Sequence, residues 1–137
     1  MKETVEKECP QGVMNKPEHF EILEDRAVYR PTGEMSLQQA VQLVTTGIAF
    51  SREHQIRKLL LDITCLTGFE PPNLATKYFL FRDWARIAEG RVCVAFVSRP
   101  EMIDREKMGI MVGKNAGFHS DAFTSEEEAT AWLQSIR

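Results

Sequence analysis

Asp62 is the acidic residue whose position in the sequence best suits chemistry. It directly follows the apolar run Leu59-Leu60-Leu61, and α/β proteins place functional groups at the carboxyl ends of such buried strands. A carboxylate there can act as a general acid or base, or it can anchor the next loop by accepting backbone N–H bonds. We expect the anchoring role, with Thr64 in the same loop anchor, and predict no catalytic residue. Only a raised pKa of Asp62 within a cleft would favour an enzyme.

The histidines and cysteines form no recognisable site. Their positions are widely separated: His19, His54, His119, Cys9, Cys65 and Cys93. No His-x-x-x-His or Cys-x-x-Cys spacing occurs, so the sequence predicts neither a metal site nor a disulfide framework, and we expect no cofactor. Cys93 lies in an apolar run and is expected to be a buried small hydrophobic residue.

One segment concentrates the aromatic and basic residues. Five of the twelve aromatic side chains fall between Phe69 and Trp84, and residues 71–117 carry a net charge of +3 although the whole chain carries −3. A helix is predicted over residues 72–89, apolar nearly all round. Its stripe towards the sheet is expected to be Leu74, Tyr78, Phe81, Ala85 and Ala88, which leaves Phe79, Leu80, Trp84 and Ile87 outside that stripe.

Three interpretations account for these additional apolar residues. They can pack against a methionine-rich helix predicted over residues 100–116, or they can form a surface for a protein partner or for self-association, including a homodimer. They can also line a cleft between the helices 72–89 and 100–116 that takes an apolar small molecule or a lipid. The candidate binding residues are Phe69, Tyr78, Phe79, Arg82, Trp84, Arg86, Met108 and Met111.

Composition excludes several classes of protein. The chain has 137 residues, 27% charged and 43% hydrophobic, which is typical of a globular domain and not of a disordered or fibrous chain. The net charge of −3 argues against a general nucleic-acid binder. No apolar run approaches the roughly 20 residues that span a bilayer, and the polar N-terminus lacks a signal-peptide pattern. We therefore expect a cytoplasmic protein without a transmembrane segment.

Hydrophobic periodicity and capping residues indicate an α/β fold. We expect a mostly parallel mixed sheet of about five strands with about four helices. Residues 1–17 are expected to form a flexible arm and residues 18–137 a single domain. The predicted elements are a hairpin within 19–30, a helix from Ser36 to Glu53, a strand over 58–63, the helix 72–89, a strand over 91–98, the helix 100–116, a strand over 119–123, and a final helix capped by Thr124.

Two stretches of sequence resemble the STAS domain, the fold of anti-sigma factor antagonists and of the cytoplasmic tails of sulphate transporters. The first is Leu59 to Phe69, in which a strand ends in Asp, an aliphatic residue and a small hydroxyl residue before a loop into a helix. The second is Ala122 to Leu133, which is similar to the last strand and helix of bacterial STAS-like proteins that are also likened to a lipid-transfer fold. The resemblance covers about residues 19–137 and implies a bacterial regulatory or signalling module.

The sequence departs from the STAS pattern at the family's regulatory serine. In anti-sigma antagonists an Asp-Ser-Ser-Gly sequence begins the helix, and its first serine is phosphorylated. The corresponding positions here hold Glu70, Pro71, Pro72 and Asn73, so no hydroxyl is present to accept phosphate. We therefore expect a non-enzymatic interaction module that lacks the usual phosphorylatable serine, with a small-ligand or lipid carrier as the alternative.

Overall fold

A computed structural model of the chain describes residues 15–136. The predicted arm, residues 1–17, lies almost wholly outside these described residues. The described part has an α/β fold with four α-helices and a five-stranded mixed sheet, as the sequence predicts. The elements are β1 Phe20–Ile22, β2 Ala27–Tyr29, β3 Gly33–Glu34, α1 Leu37–Glu53, β4 Lys58–Asp62, β5 Leu66–Thr67, α2 Leu74–Ala88, β6 Cys93–Val97, a 3₁₀ turn Pro100–Met102, α3 Met108–Asn115, β7 Ser120–Phe123 and α4 Glu126–Ser135.

The main sheet has the strand order β1-β2-β4-β6-β7. Only β1 is antiparallel to its neighbour; β2, β4, β6 and β7 are all parallel. Strand β4 lies at the centre, where Leu60 pairs with Val28 on one side and Ala95 on the other. Helices cover both faces of this strand, which explains its continuous apolar sequence.

The helices are distributed unequally over the two faces of the sheet. Helices α1 and α2 pack on the face that carries Leu59 and Leu61, in the larger of two hydrophobic cores. Helix α4 packs on the opposite face, where Ala129 and Leu133 contact the smaller core around Leu60. Alternate residues of β4 therefore enter different cores.

Helix α1 begins where its sequence predicts. The Ser36 hydroxyl accepts the Gln39 N–H, and the Gln39 side chain accepts the Ser36 N–H, which forms a capping box. Gly47 brings the helix close to β2, because a Cβ at this position would lie 2.6 Å from the Tyr29 ring. A larger residue would separate α1 from the sheet.

The predicted helix over residues 100–116 is wrong. The structure has a 3₁₀ turn and then α3, which begins only at Met108. Asp104 stabilises the start of this shorter helix, because its Oδ2 accepts the Met108 N–H at 2.9 Å. Lys107 adopts a left-handed conformation with φ of 51°, which a continuous right-handed helix cannot contain.

Three smaller features also differ from the sequence prediction. Ser125, not Thr124, caps α4, since its hydroxyl accepts the Glu128 N–H at 3.1 Å. Cys93 is half-buried and not buried. Strands β3 and β5 form a separate two-stranded sheet, and neither strand was among the predicted elements.

Candidate functional site

The outward face of α2 carries the most exposed aromatic side chains of the described residues. Phe79 is 64% exposed and Tyr78 is 37% exposed, and their rings meet edge to face with centroids 5.2 Å apart. The Arg82 guanidinium lies over the Tyr78 ring, 5.6 Å from its centroid, and donates a hydrogen bond to the Tyr78 hydroxyl at 2.9 Å. We call Tyr78, Phe79 and Arg82 the aromatic cluster.

Further exposed residues extend this surface along α2 and onto α3. Arg86 continues it along α2 and pairs with Asp83 at 2.9 Å. Leu74 in the first turn of α2 is 49% exposed, and Met111 on α3 is 55% exposed. Tyr78 and Arg82 line a shallow groove together with Val112 and Asn115 of α3 and with Ala116, which follows that helix. The surface therefore spans two helices.

The buried stripe of α2 differs from the predicted one. It consists of Lys77, Trp84, Ala85 and Ala88, whereas the predicted stripe contained Leu74 and Tyr78 and left Trp84 outside. A helix that is apolar nearly all round leaves its rotation undetermined, and contacts with α1 and α3 select the rotation here. Leu74 belongs to the exposed surface and was missed as a site residue.

Three of the predicted binding residues are buried or half-buried in the structure. Trp84 is only 6% exposed, and its Nε1 donates a hydrogen bond to the Thr45 hydroxyl of α1 at 3.0 Å. Phe69 and Met108 are half-buried. Trp84 therefore does not belong to the aromatic cluster and instead lines a cavity.

The cavity beside Trp84 has a volume of about 90 Å³ and lies between α2 and the chain from Ser98 to Ile110. The cavity is lined by Val44, Ile63, Pro72, Lys77, Leu80, Phe81, Trp84, Phe96, Ser98, Met102, Ile103, Asp104, Lys107, Gly109, Ile110 and Ala122.

Two lysine–aspartate pairs hold the chain segment that walls the cavity. Lys77 donates from Nζ to Asp104 Oδ1 at 2.8 Å and to the Met102 carbonyl at 3.1 Å. Lys107 donates from Nζ to Asp121 Oδ1 at 2.8 Å. Burial acts to raise the pKa of Asp104, but the hydrogen bonds from Lys77 and from the Met108 N–H outweigh burial and lower that pKa.

These four charged residues were not among the predicted site residues. Lys77 falls on the buried stripe of α2, where a lysine needs a partner, but the sequence did not reveal which stripe is buried and so gave no signal for this residue. The aspartates that pair with the lysines lie 27 and 14 residues further along the chain. Only the fold brings such separated residues together.

Asp62 and Thr64 make the contacts expected of a loop anchor. Asp62 Oδ1 accepts hydrogen bonds from the Thr64 N–H at 3.0 Å and from the Thr64 hydroxyl at 2.7 Å. Glu126 of α4 also contacts Asp62 and is held by Arg30, which donates to both carboxylate oxygens at 2.7 and 2.8 Å. Two carboxylates and one guanidinium therefore meet at the carboxyl end of β4.

The two carboxylates of this group differ in pKa. Burial and the hydrogen bond with Glu126 raise the pKa of Asp62 above its usual value. Hydrogen bonding from Arg30, and secondly from Asp62, lowers the pKa of Glu126 from 4.5 to about 2. Asp62 is not among the residues that line the cavity, so the raised pKa does not by itself favour an enzyme.

Within residues 15–136, no three histidine, cysteine or acidic side chains come together as metal ligands. Across the same part of the chain, none of the helices has the length and apolar character needed to traverse a membrane. Burial raises the pKa of the Cys93 thiol, which disfavours its reactive thiolate.

The fold and the exposed helical surface define an α/β protein with a two-helix candidate interface. Comparison with models of protein families, with curated proteins and with solved structures finds no match to this chain.

Proposed function

We propose that this chain is a non-enzymatic, STAS-like interaction module of bacterial regulation, which binds an acidic protein segment through the aromatic cluster. The observation that carries the proposal is the 64% exposure of Phe79 beside Tyr78 and Arg82. Aromatic residues and arginine are enriched at the centres of protein interfaces. Exposing such a cluster to water lowers solubility, so a covering partner accounts for its presence on the surface.

The charges around the aromatic cluster favour an acidic partner. Arg82 and Arg86 lie on α2 together with Asp83, which pairs with Arg86, and Lys114 lies on α3. Negative charge on a partner would increase the association rate, whereas a positively charged protein would be repelled. A second copy of this chain, docked by two-fold symmetry, would instead bring the same cations together. The surface therefore favours a different protein over a homodimer.

The start of α2 supports an interaction that does not depend on a phosphoserine at this position. Asn73 caps the helix by accepting the Thr76 N–H at 2.8 Å, and prolines occupy the two preceding positions. The STAS-like part of the proposal is supported by the element order, in which an N-terminal hairpin precedes alternating helices and strands.

A displayed library of acidic, neutral and basic peptides tests the proposal. Binders are selected on the intact chain and their dissociation constants are measured on three purified proteins: the unchanged chain, Phe79→Ser and Ile22→Ser. Ile22 is the matched control because it is 53% exposed on β1, outside the aromatic cluster. We expect acidic peptides to be enriched and Phe79→Ser to weaken their binding by at least about tenfold, with Ile22→Ser unchanged.

Two results would contradict this function. One is equal binding of the selected peptides to the Phe79→Ser and unchanged proteins. The other is selection without preference for acidic residues, which would remove the role of Arg82 and Arg86. Size-exclusion chromatography on the same samples tests self-association. A stable dimer that is lost in Phe79→Ser would show that a second copy of this chain, and not an acidic partner, covers the aromatic cluster.

A further inference from the structure

We propose that the cavity between α2 and the segment Ser98–Ile110 binds a small, uncharged ring compound that carries one hydrogen-bond acceptor. This site is separate from the aromatic cluster and does not rest on the interaction function. Its lining residues include members of three helices, α1, α2 and α3, and of two strands, β6 and β7.

The lining predicts an aromatic or similarly compact apolar ligand. Phe81, Trp84 and Phe96 form one wall, with ring centroids 5.0 to 5.6 Å apart. Val44 and Ile110 add aliphatic surface from two other helices. Aromatic rings attract further rings in edge-to-face or offset arrangements, and most small-molecule sites combine such walls with a few placed polar groups.

The polar groups of the cavity favour an uncharged ligand with an acceptor. Each lysine in the lining already has an aspartate partner: Lys77 pairs with Asp104, and Lys107 pairs with Asp121. Because these pairs neutralise the lysine charges, an anionic ligand gains little to offset the loss of its own hydration. The Lys77 ammonium has three donors, and the described residues supply acceptors to two of them. The third is available to a hydroxyl or carbonyl oxygen.

The size of the cavity limits the ligand. A volume of about 90 Å³ suits a single ring and is small for an acyl chain. Sites for drug-sized ligands typically occupy roughly 300–1,000 Å³. The lipid alternative from the sequence is therefore less suited to this cavity than a one-ring compound.

Binding of phenol to the full chain tests the proposal, with toluene and benzoate as matched probes. Toluene lacks the acceptor and benzoate carries a charge. Trp84 fluorescence is followed in a Trp132→Phe background, which leaves a single tryptophan at the cavity. Amide NMR spectra locate the site through Ile103 and Gly109. We expect saturable 1:1 binding of phenol in the millimolar range or below, and at least about tenfold weaker binding of benzoate and of toluene.

Variants that fill the cavity provide the decisive comparison. Ala122→Leu and, independently, Ile103→Phe should each weaken phenol binding by at least about tenfold while circular dichroism confirms folding. Phe79→Ser should bind phenol normally, so failure of the interaction surface and failure of the cavity site are distinguishable. The proposal is overturned if no probe gives a saturable change, if benzoate binds as tightly as phenol, or if folded filling variants bind phenol unchanged.

Discussion

Replacing Glu126 by glutamine should reduce stability near neutral pH, because this carboxylate connects α4 to the end of β2. Arg30 follows β2 and makes two charge-assisted hydrogen bonds to Glu126, 96 residues away in the sequence. A fall of the Glu126 pKa from 4.5 to about 2 corresponds to about 3.4 kcal/mol of folding free energy. This figure is an upper bound.

Two physical effects reduce this magnitude. The Glu126 side chain is 35% exposed, so water screens its pairing with Arg30. The contact with Glu126 also raises the pKa of Asp62, and this opposing cost disappears when Glu126 is replaced. We therefore expect Glu126→Gln to cost about 1–2 kcal/mol near neutral pH. Because the Glu126 pKa is lowered on folding, this contribution is present above 4.5 and is lost as pH falls towards about 2.

Urea unfolding measured across this pH range checks the prediction. With a typical slope of about 2 kcal/mol per molar urea, the midpoint should fall by roughly 0.5–1 M near neutral pH and converge with the unchanged protein in acid. Glu127→Gln is the matched control, because it removes the same charge from the exposed side of the same helical turn. Equal midpoints for the two variants, or a difference that does not depend on pH, would refute the ion-pair reasoning.

Two further substitutions test neighbouring parts of the structure. Asp62→Asn should raise the thermal midpoint near neutral pH, and the asparagine oxygen still accepts the Thr64 N–H. Because the Asp62 pKa is raised on folding, this gain should shrink as the pH falls below the pKa of Asp62. An unchanged or lowered midpoint would contradict repulsion between Asp62 and the carboxylate of α4. Gly109→Ala should destabilise by about 1–3 kcal/mol in urea unfolding, because its Cβ would lie 2.4 Å from the Phe81 ring. If Gly109→Ala instead stabilised the protein by the roughly 1 kcal/mol that alanine gains over glycine in a helix, the Phe81 ring would be shown to move freely.

The sheet could be predicted from sequence because its signals are local. The uninterrupted apolar residues of β4 and β6 predict strands covered on both faces, and the Ser36 capping box fixes the start of α1. Such patterns depend on neighbouring residues alone. The fold class follows from their order along the chain.

The rotation of α2 and the break before α3 could not be predicted in the same way. Apolar residues surround α2, so periodicity did not reveal that Trp84 packs inside and Tyr78 lies outside. The break depends on Asp104, which accepts hydrogen bonds both from the start of α3 and from Lys77 of another helix. A contact between distant segments leaves no periodic pattern in the sequence.

The placement of α4 has a consequence for the nascent chain. Every strand that α4 covers precedes it in the sequence, and within residues 15–136 α4 is the helix that supplies the residues of the smaller core. During synthesis, β2, β4 and β6 therefore leave the ribosome before the residues that shield Val28, Leu60 and Val97. This side of the sheet therefore lacks its covering by α4 until Leu133 has been translated, and its apolar residues stay accessible to other chains during that interval.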